Sequence, residues 1–374
     1  MTNKNRKRLV FAWWGTGWHI FPIINLLHYL DDYHADDIDA VFWIASKEWL
    51  EHDLATKTKF QHFTVTFLSI TSWKRRRQRD FHAIRDNLVD LVCVGYGILI
   101  SLIYLIKYRT DVIFCKWWHV ALPVVLAWMF LKKRIIVHES DTRMWLTNCI
   151  ASKMASHIFT AFPHVHPHWI LIGQIIADVF SQKIDKQDFD ELLGTPSKVN
   201  QTQVLIMWWS QGATSMYQWV AHAMKSHPEV FAPYNFVVVL GILNHQQASL
   251  FAWFPNVQTL WFCSQAQMSV LYQYCDISIT RAGTTSLAEQ KLLNMLLCIV
   301  PLPRTHDQVS NANYYFSTHQ DILIAQDQDM SINFVKTFSV LQHFKKTKAD
   351  LSDISNTIAK VKQTISHIIL TDET

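Results

Sequence analysis

Leu9-Val10-Phe11-Ala12-Trp13-Trp14-Gly15-Thr16-Gly17-Trp18-His19-Ile20-Phe21-Pro22 is the stretch on which the fold turns. Its first four residues read as a strand, Gly15-Thr16-Gly17 as a tight turn, and the residues that follow as the opening of a helix. Such a turn calls for glycine, which takes positive φ cheaply and lets the backbone approach a ligand. Tryptophan offers neither property. Yet Trp13-Trp14, Trp117-Trp118 and Trp208-Trp209 each close an apolar, strand-like run.

The alternation continues along the chain. Strands are predicted over 8–12, 40–45, 63–69, 112–115, 134–137 and 157–161, then over 204–207, 236–240, 257–262, 277–280 and 297–300. Helices are predicted over 21–32, 80–107, 120–131, 145–155, 214–226, 267–274, 285–293, 310–319 and 354–370. Strand followed by helix, repeated, means parallel sheets with right-handed crossovers. A polar stretch over 181–203 separates two such sets and precedes a second strand, Trp-Trp and turn unit. The predicted fold class is α/β, with two Rossmann-like domains facing across a cleft. Ligands then sit beyond the carboxyl ends of the strands.

The 374 residues are 50% apolar and 17% charged, enough for about two domains with cores and too apolar for disorder. Glycine is scarce at 9 residues, against a usual ~7% of a chain, while tryptophan reaches 16. Six cysteines lie in no CxxC or CxH spacing, so neither a zinc site nor a disulfide framework is expected, and a reducing cytoplasm fits. The basic start, Met1 to Arg8, is followed by an apolar run too short for a signal peptide. A net charge of +4 is mild, and no nucleic-acid partner is expected. Basic residues concentrate at Lys74-Arg75-Arg76-Arg77 and Arg79. Beside them, 91–106 is uncharged but shorter than the ~20 residues of a spanning helix. It reads as a buried or membrane-touching helix, and a basic cluster beside an apolar surface suits an anionic bilayer.

The run Gly15-Thr16-Gly17-Trp18-His19-Ile20-Phe21-Pro22 resembles the GGGTGGHxxP loop of the MurG family, the peptidoglycan glycosyltransferases that add N-acetylglucosamine to lipid I. Six further stretches resemble the same family in the same order. They are Lys116-Trp117-Trp118-His119-Val120, His138-Glu139-Ser140-Asp141, Trp145-Leu146-Thr147-Asn148, Trp208-Trp209-Ser210-Gln211-Gly212-Ala213, Arg281-Ala282-Gly283-Thr284-Thr285-Ser286-Leu287-Ala288-Glu289, and Pro301-Leu302-Pro303 through His306-Asp307-Gln308 to Asn311-Ala312. Trp takes the family's glycine at positions 13, 14, 18, 117, 118, 145, 208 and 209. Asp141 stands at a family Asn, and Thr214 and Ala177 stand where many members have Arg.

The resemblance implies an inverting transfer of N-acetylglucosamine from UDP-N-acetylglucosamine to the 4-hydroxyl of the muramyl sugar of lipid I, giving lipid II. No metal or other cofactor is implied. Residues 1–174 would bind acceptor and membrane, with a C-terminal helix of about 353–374 packing back on them, and 175–352 would bind the UDP-sugar. His19 is the expected general base, because imidazole titrates near neutrality. Thr16, Gly17 and His119 are assigned to the acceptor. The donor falls to Asp141, Ser210, Gln211, Gly212, Arg281, Gly283, Thr284, Thr285, Ser286, Glu289, Asp307, Gln308 and Asn311. Within that set, backbone amides at helix starts meet the diphosphate and Glu289 the ribose hydroxyls. His138 is expected to brace its loop. The anionic inner membrane surface is an expected partner, reached peripherally from the cytoplasmic face. An indole at a positive-φ site costs on the order of 1 kcal/mol or more, so crowded phosphate loops and weak turnover are expected. A related transferase with another lipid acceptor, and a non-catalytic scaffold, stay open as alternatives.

Overall fold

A computed structural model describes residues 6–12, 17–45, 58–70, 81–116, 121–131, 133–196, 201–208, 214–303, 305–327, 329–341 and 344–371. The chain forms two compact units, Met1–Ala177 with Ile358–Thr374, and Asp178–Thr357.

In the first unit the order is β1 (Lys7–Ala12), α1 (Gly17–His34), β2 (Ile38–Ala45), β3 (Val65–Ser69), α2 (Phe81–Lys107), β4 (Val112–Cys115), α3 (Ala121–Leu131), β5 (Arg134–Glu139), α4 (Leu146–Ser152), β6 (His157–Thr160) and β7 (Ile170–Leu171). The strands form one sheet in the order β3-β2-β1-β4-β5-β6-β7, every pair parallel. Side chains alternate across a strand, and β1 divides accordingly between two cores. Leu9 and Phe11 join the core built with α1, while Val10 and Ala12 join the one under α2 and α3. Helices on both faces explain why these strands are apolar without interruption. Ala12 pairs with Cys115, so β1 and β4 end level where the strand order reverses. That reversal is the switch point at which open α/β sheets hold ligands.

The predicted helix over 80–107 forms as α2, and it has two faces. Val94, Ser101 and Leu105 are buried, whereas Val89, Val92, Tyr96, Leu99, Ile103 and Ile106 are exposed. Their spacing of three and four residues makes one apolar stripe. Among the described residues no helix is long and apolar enough to cross a membrane.

The second unit contains α5 (Lys186–Leu193), β8 (Thr202–Met207), α6 (Thr214–Ser226), α7 (Pro228–Phe231), β9 (Tyr234–Val239), β10 (Val257–Leu260), α8 (Gln265–Tyr274), β11 (Ile277–Thr280), α9 (Thr284–Leu292), β12 (Leu296–Ile299), α10 (His306–His319), β13 (Ile322–Leu323) and α11 (Met330–Val340). Its parallel sheet runs β10-β9-β8-β11-β12-β13, with the switch point between β8 and β11. The last helix, α12 (Leu351–Leu370), carries Val361, Ile365 and Ile369 into the core around α1 of the first unit. Arg134 at the start of β5 donates to the Ile368 carbonyl at 2.5 Å and to that of Thr371, closing carbonyls that the helix end leaves open.

Two readings need correction. Residues 181–203 are not a plain polar spacer, because α5 forms within them. Asp185 and Asp188 make a reciprocal capping box, Gly194 ends the helix at φ 68°, and buried Phe189 stacks on Tyr274 at 5.1 Å. One buried aromatic anchors an otherwise solvated helix, so the composition looks like linker. Helix α11 went unread, although Met330, Phe334 and Phe338 are buried at four-residue spacing.

Candidate functional site

At the carboxyl end of β11 the chain turns through Arg281-Ala282-Gly283 into α9. Gly283 is its N-cap at φ −77°, ψ 115°, a conformation open to other residues. The turn is also open, since a Cβ at Gly283 would meet nothing within 4 Å. Thr284 and Ser286 are buried, Thr285 is half-buried, and Glu289 is 1% exposed on the same helix. No acidic residue occupies the first turn of α9, so its amides keep their partial positive charge.

The loop after β12 is drawn to the same edge. Asn311, buried on α10, donates from Nδ2 to the Ala282 carbonyl at 3.3 Å. Gln308 accepts from the Leu302 amide at 3.1 Å, and Thr305 donates to the Leu302 carbonyl at 2.8 Å. The Gln308 amide oxygen therefore closes its own turn. Asp307 is half-buried in the first turn of α10.

Arg281 is placed differently from a ligand-reaching side chain. Its Nη1 donates to the Val300 carbonyl at 3.0 Å and to Gln326 Oε1 at 2.5 Å. The guanidinium lies 5.6 Å from the ring centroid of Trp208, and burial pushes its pKa down to about 10, leaving it charged at neutral pH. It braces the ends of β11 and β12. Trp208 is 2% exposed and belongs to the core beneath α6.

In the first unit, β5 ends in His138-Glu139 and turns through Ser140-Asp141. His138 donates from Nε2 to the Gly173 carbonyl at 3.0 Å, and burial, with Lys116 close by, lowers its pKa to about 3. The imidazole is therefore a neutral brace. Gly173 holds φ 91°, where a side chain would be strained, and Gln174 donates to the Ser140 carbonyl at 2.6 Å. Glu139 organises the whole turn. It accepts from the Asp141 amide at 3.0 Å, the Trp145 amide at 3.1 Å and Asn148 Nδ2 at 2.9 Å. Burial, then the neighbouring Asp141, raises its pKa to about 8. Asp141 is itself buried and accepts the Trp145 indole N–H at 3.2 Å.

The expected backbone strain is absent at both fully described motif tryptophans. Trp145 has φ −75° as the N-cap of α4, and Trp208 is not among the positive-φ residues. Trp18 lies in helical backbone at the start of α1. Gly17 and His19 share that first turn, at the start of the helix that follows β1. Thr16, His119, Ser210, Gln211, Gly212, and Trp13, Trp14, Trp117, Trp118 and Trp209 lie outside the described residues, as does the basic cluster 74–79.

The structure thus gathers Gly283, Thr284, Ser286, Glu289 and Asn311 at one sheet edge. It adds residues that spacing does not reveal. Tyr272 on α8 is buried, with its hydroxyl 3.5 Å from Met207 Sδ, and burial followed by the charge of Glu289 holds its pKa well above the usual value. Gln326, in the loop after β13, fixes Arg281.

Comparison with known proteins agrees with this geometry. The glycosyltransferase family 28 N-terminal domain matches residues 9–160, and the family 28 C-terminal domain matches residues 203–367. A UDP-N-acetylglucosamine--N-acetylmuramyl-(pentapeptide) pyrophosphoryl-undecaprenol N-acetylglucosamine transferase of Streptococcus thermophilus is 30% identical over 323 residues, 83% of this chain and 82% of that protein. The protein of the same name from Borrelia garinii is 26% identical over 372 residues, 96% of this chain and 93% of its own length. The crystal structure of Acinetobacter baumannii MurG superposes with a TM-score of 0.69 at 19% identity, covering 97% of this chain and 99% of the other, and shares the fold. The chain belongs to glycosyltransferase family 28, in its MurG group of UDP-sugar-dependent hexosyltransferases.

Proposed function

We propose that this protein transfers N-acetylglucosamine from UDP-N-acetylglucosamine to the 4-hydroxyl of the muramyl sugar of lipid I, producing lipid II for peptidoglycan. The observation that carries the reading is the second unit's sheet edge. There an open glycine N-cap, two buried hydroxyl residues and buried Glu289 sit at one helix start. Breaking the anomeric bond leaves negative charge on UDP, and the α9 amides offer fixed donors to it. Glu289 receives the ribose hydroxyls, and Asn311 and Asp307 border the sugar. His19 removes the proton of the attacking hydroxyl. Thr16, Gly17 and His119 hold the acceptor diphosphate. Asp141, buried with its backbone amide donating to Glu139, serves by holding its loop.

The apolar stripe of α2, together with the basic residues 74–79, supports peripheral attachment to the anionic inner membrane surface from the cytoplasmic side. A lipid acceptor requires such a surface. The test is transfer of labelled N-acetylglucosamine to a lipid I analogue by the protein isolated from its own cells. His19→Ala is expected to lower kcat by on the order of 100-fold or more with donor affinity unchanged. Full activity in that variant removes His19 from the mechanism, and no transfer by the parent overturns the assignment.

A further inference from the structure

Glycine and tryptophan are displaced in opposite directions in this chain, to 9 and 16 residues, and together they amount to the roughly 7% that glycine alone usually supplies. The displacement is not spread evenly. Trp13-Trp14 follows β1, Trp117-Trp118 follows β4 after Lys116, and Trp208-Trp209 follows β8. These three strands border the two switch points, where a backbone must let an anion approach and where glycine serves.

Trp208 does not look like a residue selected for its site. A buried indole N–H normally finds a partner. The Trp208 Nε1 is buried without one among the described residues, and so is the Nε of Arg281, whose guanidinium lies over that ring. Trp43 and Trp128 share the unpartnered N–H but lie inside β2 and α3, so placement at a strand end is what sets Trp208 apart.

The uniformity of the exchange is the strongest sign. At each of the eight positions where the resemblance sets a motif glycine and this chain has another residue, 13, 14, 18, 117, 118, 145, 208 and 209, that residue is tryptophan. Single-base changes from glycine codons would scatter over alanine, serine, valine, aspartate, glutamate, cysteine and arginine, with tryptophan reached from GGG alone. One codon joins the two residues. UGA differs from tryptophan's UGG at the third base and from glycine's GGA at the first, and genetic codes differ in its meaning. Glycines written GGN would be untouched, which fits Gly15, Gly17, Gly212 and Gly283 standing among the tryptophans.

We propose that these eight positions are encoded by UGA and carry glycine in the protein the cell makes. At 208 this frees the volume at the end of β8 in front of Arg281, beside the N-terminus of α9. The proposal rests on family membership, and it concerns the same loops as the proposed activity.

The test is codon sequencing of the gene, joined to peptide mass spectrometry of the protein isolated from its own cells. UGA codons and glycine-containing peptides at the eight positions are expected. UGG codons, or peptides retaining Trp145 or Trp208, overturn the proposal. A second measurement compares the tryptophan chain with a recombinant chain carrying Trp→Gly at all eight positions, by calorimetric titration with UDP-N-acetylglucosamine. The glycine chain is expected to bind at least about 10-fold more tightly, and equal affinity counts against the inference. Glycine peptides from a protein that transfers no sugar would sink the proposed activity while upholding this decoding.

Discussion

His138 and Glu139 are neighbours on β5 whose burial pushes them in opposite senses, to about 3 and about 8. An unfolded chain takes a proton on His138 below its ordinary 6.5, while the folded one stays neutral. Stability from His138 is therefore present above 6.5 and lost as pH falls toward 3. Glu139 works the other way. Its folded form keeps a proton that the unfolded chain releases at 4.5, so stability present below 4.5 is lost as pH rises to about 8. Between 6.5 and 8 only Glu139 of this pair contributes a slope. The melting temperature of the parent is expected to fall across that window, and Glu139→Gln to flatten the fall at some cost in overall stability. Thermal melts of both proteins at closely spaced pH values check this, and parallel slopes would refute it. At this scale the sequence singled out residues that the fold brings together, since Gly283, Thr284, Ser286, Glu289 and Asn311 gather at one edge. It could not mark Tyr272 or Gln326, because each reaches the site from a different element with no shared spacing. It assigned Arg281 to the donor, whereas the folded chain turns the guanidinium onto neighbouring strand and loop oxygens. That depends on where Val300 O and Gln326 Oε1 come to lie.

Helix α2 shows how an uncharged stretch conceals two faces. Its buried side packs under the sheet, and its exposed side shows Val92, Tyr96, Leu99, Ile103 and Ile106 in register. Charge at the centre of the stripe should cost membrane affinity without disturbing the core. Leu99→Glu with Ile103→Glu is expected to lower binding to anionic vesicles by on the order of 10-fold or more, with stability changed by less than about 0.5 kcal/mol. Co-sedimentation read against the thermal midpoint separates the two, and undiminished vesicle binding would exclude the stripe. Helix α12 makes the complementary case. Ile365 is fully buried among Leu9, Ile24 and Val361, so Ile365→Ala is expected to cost about 2–4 kcal/mol in denaturant unfolding. A loss under about 1 kcal/mol would mean that α12 is not part of that core. Short apolar runs alternating with longer helical patterns made most elements readable, including α2 and α12. The exceptions are instructive. Helix α5 hides in polar sequence because only Phe189 is buried, and β7 and β13 are two-residue strands with too little length for a pattern.

For the whole molecule, two compact units, each built on its own parallel sheet, mean that a ligand held by one unit acts first on that unit's stability. A donor that binds only the folded second unit adds RT ln(1 + [L]/Kd), about 2.7 kcal/mol at a hundredfold excess over Kd. The donor site proposed at the α9 edge lies within Asp178–Thr357. Calorimetry of the protein isolated from its own cells is therefore expected to show UDP-N-acetylglucosamine raising the transition in which the second unit melts. Glu289→Ala removes the proposed ribose acceptor, and it also hollows a buried position beside Tyr272, so its own baseline will fall. The discriminating quantity is the shift that the donor adds to each baseline. It should shrink strongly in Glu289→Ala and persist in Ile365→Ala, whose lesion lies in the first unit's core. A donor shift undiminished by loss of Glu289 would move the nucleotide away from α9, and a shift abolished by Ile365→Ala would mean that the donor does not act through the second unit alone.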